Sequence, residues 1–322
     1  MYNVFEAIMY IGIDIGGTNI KIGIITKLGR ILASTSFKTR APRPYEEIEK
    51  NIFDAINSLC QKESIDYNTI KGIGIGVPGM VNSKSGIVLR ASNLGWVGID
   101  LEKRFSKLSH KIVKIGNDAN CAALAEQKFG GGKQYDDCVF ITFGTGIGTG
   151  LIINGKIYDG YGGTAGECGH MVIVKDGEEC ACGNKGCWER YASASALTRR
   201  TEMMAKQNPQ SKLNNIIAKY KNVSAVTAFE AARQNDEIGK QLVDEYIEYV
   251  SIGLINLIQI LHPQAFIIGG GVSNEGKDFI QPLNHIVNKF VQDNNIYPQV
   301  EVKKAILGNT AGMIGAASLV MD

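Results

Sequence analysis

Ile11-Gly12-Ile13-Asp14-Ile15-Gly16-Gly17-Thr18-Asn19-Ile20 alternates apolar residues like a strand, stops on two glycines and a threonine, and resumes as a second strand through Ile25. The spacing predicts a hairpin with a tight polar turn. The same grammar returns in Val139-Phe140-Ile141-Thr142-Phe143, then Gly144-Thr145-Gly146, then Ile147 to Ile153. Gly144 stands 128 residues after Gly16, far beyond any solenoid period. Two domains built on one plan, each presenting a glycine turn, account for the repetition.

Outward from these turns, Glu46 to Gln61 has helical spacing through Ile48, Ile52, Ile56 and Leu59. Lys71 to Val77 reads as a buried strand ending at Pro78-Gly79, and Asn117 to Phe129 as a helix. Downstream, a long helix is expected over Asp244 to Leu261, stopped by Pro263, and a strand Ala265 to Ile268 feeds Gly269-Gly270-Gly271. Strand-rich and helical stretches in alternation predict an α/β protein with mixed sheets. The expected boundary lies near Gly116. It separates an N-terminal α/β domain, 1–116, from a larger one, 117–304, with a helix over about 305–322 returning to the first.

The chain has 322 residues, 44% hydrophobic and 20% charged, a globular profile. Its formal net charge of +2 is spread thinly, and no basic stripe calls for nucleic acid. The longest apolar stretch, Ile252 to Leu261, is about half of what a bilayer requires and carries Asn256 and Gln259, so no membrane partner is expected. No signal peptide is legible, and seven cysteines, an odd number, argue against a disulfide framework; a reducing cytoplasm is expected. Met9 directly precedes the first strand and 1–8 has no evident structural role, so either Met9 is an alternative start or the leader is a disordered or packed extension. Glycine is the informative excess, 38 residues or roughly 12% against a usual share of roughly 7%.

Taken singly, either glycine turn is an ordinary hairpin turn. Two of them together with Gly270 and Gly271 instead suggest backbone N–H groups cradling nucleotide phosphates, with Thr18 and Thr145 adding hydroxyls. Asp14 sits at a strand end, where a carboxylate can hold magnesium through water. Asn117-Asp118 opens a helix and by itself reads as an N-cap. Phosphoryl transfer to a hydroxyl also needs a carboxylate that accepts the proton, and Asp118 stands where one could serve. Cys180, Cys182 and Cys187 fall within eight residues, downstream of Glu167-Cys168-Gly169-His170 and just before Glu189. Three thiols and one imidazole suit a closed, tetrahedral structural zinc, with His170, Cys180, Cys182 and Cys187 as its ligands. The remaining cysteines, Cys60, Cys121, Cys138 and Cys168, sit in apolar contexts, and Trp188 reads as a packing residue.

Asp14-Ile15-Gly16-Gly17-Thr18, Asn117-Asp118-Ala119-Asn120, Gly144-Thr145-Gly146-Ile147-Gly148 and the cysteine cluster, in this order and spacing, resemble the ROK family of repressors and sugar kinases. The resemblance runs from Ile11 to about Leu319. It implies a two-domain actin-like ATPase (ribonuclease H-like) fold with a cleft between the domains. It further implies ATP with magnesium bound by Asp14, Gly16, Gly17, Thr18, Lys21, Thr145, Gly146, Gly270 and Gly271. Asp118 becomes the catalytic base, and Asn93, Asn117, Glu167, His170 and Glu189 join it as hexose ligands. A homodimer is also implied. Glucose is the first expectation for the acceptor; N-acetylmannosamine and other hexoses follow, and polyphosphate is a conceivable donor. A sugar-responsive repressor would carry a DNA-binding domain before the first glycine turn, where only 13 residues precede Asp14. A catalytically dead sugar-binding protein would have no need of Asp14, Asp118 and both turns.

Overall fold

The computed structural model describes residues 8–321; Met1 to Ala7 of the expected leader lie outside them. The first half of the chain forms β1 (Met9–Ile15), β2 (Asn19–Thr26), β3 (Ile31–Lys38), α1 (Tyr45–Lys62), β4 (Ile70–Val77), β5 (Met80–Asn82), β6 (Ile87–Ala91), β7 (Trp96–Asp100), α2 (Leu101–Ser109), β8 (Val113–Asn117) and α3 (Asp118–Phe129). There follow β9 (Cys138–Phe143), β10 (Ile147–Ile153), β11 (Lys156–Ile157) and then α4 (Glu189–Ala192), α5 (Ala194–Gln207), α6 (Lys212–Tyr220), α7 (Ala225–Arg233) and α8 (Glu237–Leu261). The chain closes with β12 (Ala265–Gly269), α9 (Lys277–Asp293), β13 (Glu301–Lys304) and α10 (Ala311–Ser318). Helix α8 begins seven residues before the expected Asp244, because Asp236 caps it by accepting the Gly239 N–H.

Two five-stranded sheets have the orders β3-β2-β1-β4-β8 and β11-β10-β9-β12-β13, and β5-β6-β7 form a small third sheet. The two large sheets follow one plan: third, second, first, fourth, fifth strand of each set. In the first, β1 and β2 are antiparallel, whereas β1 pairs β4 and β4 pairs β8 in parallel. In the second, β12 lies parallel to both β9 and β13. The sheets are thus mixed, as the alternation of elements implies.

The chain clusters into two units, one of 1–134, 150–166 and 307–322 and the other of 135–149 and 167–306. The division differs from a break at Gly116. Helix α3 groups with the first unit, because Gly315 of α10 presses so closely on the Cys121 carbonyl that a Cβ would overlap it.

The core of the first unit has two faces. Ile11, Ile13, Ile15, Ile20, Ile22 and Ile24 join Ile48, Ile52 and Ile56 of α1 on one side. Tyr10 and Ile25 meet Ala311, Met313, Ile314 and Ala317 of α10 on the other. On that second face glycine is required inside the strands. A Cβ on Gly12 would overlap the Met313 carbonyl, and one on Gly74 the Ala316 carbonyl. Part of the glycine excess therefore serves close helix–sheet approach rather than any turn. In the second unit Trp188, Phe143, Phe229, Phe266 and Phe279 are fully buried, and Phe143 meets both Trp188 and Phe279 edge-on at 5.8 Å.

Candidate active site

In the first unit, the turn between β1 and β2 is closed by the Gly16 N–H donating to the Asn19 carbonyl at 2.9 Å. Gly17 and Thr18 are exposed at its tip. Register pairs Asp14 with Lys21 across the hairpin, and Lys21 Nζ lies 3.4 Å from Asp14 Oδ2 while also donating to the Asn309 carbonyl at 3.0 Å. Burial pushes the Asp14 carboxyl above its ordinary value, and the Lys21 charge opposes that rise. Gly312 of α10 stands directly against the Asp14 carboxylate. Thr39 was not anticipated: its hydroxyl donates to the Gly16 carbonyl at 2.6 Å and its N–H to the Thr18 carbonyl at 2.9 Å. Nothing in the sequence around Thr39 signals this, since β3 ends there without a motif.

Asn93 lies beside this turn, its Cβ 3.4 Å from where a Gly17 side chain would begin. Asn117 is the N-cap of α3; Oδ1 accepts the N–H groups of Ala119 at 2.8 Å and Asn120 at 3.1 Å, and Nδ2 donates to the Gly79 carbonyl at 2.9 Å. The cap fixes Asp118 at the first helical position, half-buried, with Oδ1 accepting the Ala119 N–H at 2.9 Å. A helix start favours the ionised carboxylate there.

In the second unit, the turn between β9 and β10 is closed by the Gly144 N–H and the Gly146 carbonyl at 3.0 Å, with Thr145 exposed. Gly270, at φ +82°, packs so tightly on the Phe143 backbone that a Cβ has no room, and Gly271 beside it opens onto free space. These glycines therefore converge on the end of β9.

The cysteine-rich loop brings His170, Cys180, Cys182 and Cys187 together, all four ligand atoms within 4.8 Å of one another. Cys180 Sγ is 3.6 Å from His170 Nδ1, and Cys182 Sγ is 3.5 Å from Cys187 Sγ. Ligands about 2.3 Å from a tetrahedral zinc stand about 3.8 Å apart, so the cluster fits that ion. Burial and the two neighbouring thiols, Cys182 and Cys180, push the Cys187 thiol up to about 12. The loop is knitted by Cys180 N–H to Asn184 carbonyl at 2.9 Å and Gly186 N–H to Glu178 carbonyl at 2.8 Å, with Gly183 and Gly186 at positive φ.

The sequence left unseen how this loop grips the second turn. Glu189 Oε2 accepts the Ile147 N–H at 2.9 Å and stands where a Gly146 side chain would be. Ala194 N–H donates to the Gly144 carbonyl at 2.9 Å, and Cys168 N–H to Thr149 Oγ1 at 3.2 Å. Beneath them Trp188, whose Nε1 donates to the Tyr249 carbonyl at 2.8 Å, packs on Phe143. Glu167 lies at the rim of the loop. Its carboxyl is raised by desolvation, which the His170 charge opposes and Glu189 reinforces. Cys60, Cys121, Cys138 and Cys168 are buried free thiols, as their apolar contexts imply.

Paired sheets of one strand order, each opening on a glycine turn, define the actin-like ATPase fold class. A family model described as "ROK family" matches residues 10–322. The glucokinase of Streptomyces coelicolor is 35% identical over 321 residues, covering 97% of this chain and 97% of that protein. The crystal structure of a ROK family glucokinase from Streptomyces griseus, in complex with glucose and AMPPNP, superposes with a TM-score of 0.81 at 36% identity, covering 97% of this chain and 98% of that one. The xylose repressor of Caldicellulosiruptor bescii is 32% identical, covering 97% of this chain and 78% of that protein. The chain belongs to the ROK family.

Proposed function

We propose that the chain is an ATP-dependent glucokinase, transferring the γ-phosphoryl group of ATP to the 6-hydroxyl of glucose. The observation that carries the reading is Asp118, held at the start of α3 by the Asn117 cap. Its carboxylate accepts the proton of the sugar hydroxyl as that oxygen bonds to phosphorus and the bond to ADP breaks. The near end-to-end likeness to glucokinases supports glucose over other hexoses. Asn93 and Asn117 are read as sugar ligands in the first unit, and Glu167, His170 and Glu189 as sugar ligands in the second. With Oε2 engaged on Ile147, Glu189 has Oε1 for a sugar hydroxyl.

Asp14, Gly16, Gly17, Thr18 and Lys21 are read as phosphate and magnesium ligands, together with Thr145, Gly146, Gly270 and Gly271. Magnesium, when bound, neutralises phosphate charge; Asp14 would hold it through water. Zinc, held by His170, Cys180, Cys182 and Cys187, would be structural, fixing the imidazole from one ring nitrogen. The reading includes a cytoplasmic location, supported by seven cysteines of which none is in a disulfide, and a homodimer. Among the described residues no helix is long and apolar enough to cross a membrane.

The test is a coupled assay of ADP release with ATP and a panel of hexoses, on the chain and on Asp118→Asn. The variant is expected to lose about 10²- to 10⁴-fold in kcat with the glucose KM within about threefold. A variant turning over at the normal rate would remove the proposed base. A panel in which another hexose outruns glucose would reassign the substrate.

A further inference from the structure

A cavity of about 380 Å³ lies in the second unit, lined in part by Arg190, Arg199, Arg200, Tyr191, Tyr249 and Glu178. Its volume is within the roughly 300–1,000 Å³ of small-molecule sites. None of the residues assigned to sugar, nucleotide or zinc lines it.

Three guanidinium groups meet only two carboxylates there. Glu178 Oε2 is shared by Arg190 at 3.1 Å and Arg199 at 2.6 Å, while Arg200 pairs with Glu245 at 3.3 Å. One positive charge is left over at the wall. Among the described residues, the buried Arg190 Nε, Arg200 Nε and the hydroxyl of Tyr246, which is 2% exposed, have no hydrogen-bond partner. The arginine side chains themselves stay partly open, 34% exposed for Arg190, 44% for Arg199 and 40% for Arg200, so an anion from outside the chain can reach them. The Tyr191 and Tyr249 rings, with centroids 4.9 Å apart, supply flat faces beside the charged rim. Arginine forks match phosphate oxygens, and aromatic faces with polar edges suit the remainder of a sugar.

We propose that this cavity is a regulatory site for a sugar phosphomonoester. Its reach to the second glycine turn is short. Arg190 and Tyr191 belong to the single turn of α4 whose first residue, Glu189, holds the Ile147 N–H. Tyr191 also accepts the Glu178 N–H at 2.7 Å, tying α4 to the carboxylate the arginines share. A phosphate drawing Arg190 and Arg199 away from Glu178 displaces α4, and Glu189 with it. The binding half of the proposal stands without the kinase reading; the regulatory half rests on it.

The experiment is isothermal titration of glucose 6-phosphate into the zinc-loaded chain, with glucose and AMPPNP saturating the proposed active site. One equivalent is expected to bind. Arg199→Ala should weaken it at least tenfold and Arg199→Lys less, while both keep the kcat of the parent chain in the absence of product. Inorganic phosphate and gluconate are the comparison ligands, each expected to bind at least tenfold more weakly. Glucose 6-phosphate should raise the ATP KM of the parent chain but leave that of Arg199→Ala unchanged. No binding to the blocked chain, or equal binding to Arg199→Ala, overturns the site. Equal binding of gluconate or of phosphate alone overturns the ligand class. If the chain does not phosphorylate glucose, the kinase reading falls, and the titration still decides whether the cavity binds.

Discussion

Between Ile15 and Asn19 the backbone turns on groups supplied almost at once, with Asp14 and Lys21 facing each other across the same hairpin. Between Phe143 and Ile147 it turns in the same way, but its carboxylate, Glu189, arrives 42 residues later from beyond the cysteine cluster. The first turn is braced by its own strands, by Thr39 at the end of the neighbouring strand and by Asn309. The second is clamped by a loop that no sheet organises, through Cys168, Glu189 and Ala194. Two turns alike in sequence thus depend on unlike supports. The second should be as stable as the loop that holds it, and the loop as stable as the zinc proposed for it.

Stripping that cation is the largest blow to the contrast. Chelation, or Cys187→Ser at a fully buried ligand, is expected to lower the second unit's thermal transition by about 10 °C, several kcal/mol for a domain this size. It should raise the ATP KM at least tenfold, while the first turn keeps its Asp14–Lys21 pair. Calorimetry with steady-state kinetics measures both; an intact ATP KM after complete zinc loss would break the link between loop and turn.

A methyl group probes the same difference more gently. Gly146→Ala drives a Cβ into the Glu189 carboxylate and should cost about 1–3 kcal/mol of stability without any ligand. Gly17→Ala meets only the Asn93 Cβ at 3.4 Å and should stay within about 0.5 kcal/mol. Denaturant melts of the two variants compare the turns directly, and equal losses would mean the second turn is not clamped.

The smallest effect concerns charge. Because burial raises the Asp14 carboxyl, the native state loses stability as pH rises from the ordinary 3.8 to that raised value, and the full cost is present above it. Asp14→Asn should therefore melt about 2 °C higher at pH 7, a gain that fades as pH falls through the native value towards the ordinary 3.8. A variant less stable at pH 7 than its parent would show that Lys21 outweighs burial.

Much of this frame was legible beforehand. Alternation around Ile11–Ile15 and its return at Val139–Phe143 give both hairpins, because strand period and glycine turns are local properties. The gathering of His170, Cys180, Cys182 and Cys187 was legible because thiols in a short loop have few other uses. Close packing was not: Gly12 and Gly74 face the carbonyls of Met313 and Ala316, about 300 and 240 residues away, and no local pattern encodes that approach. The same holds for Glu189 on Ile147, a bond between a side chain and a distant amide. Asn117 is instructive in another way, since its capping role was the plainest reading of its position and its amide is indeed engaged there.

Helix α10 lies against β1 and β4 and its approach closes over Asp14. It is synthesised after β1 and after every element of the second unit. The β1–β2 hairpin must therefore wait with one apolar face uncovered until residues 135–149 and 167–306 have been made, and these can consolidate earlier. Synthesis order and folding order run opposite ways in this molecule, and the half begun first is the half completed last.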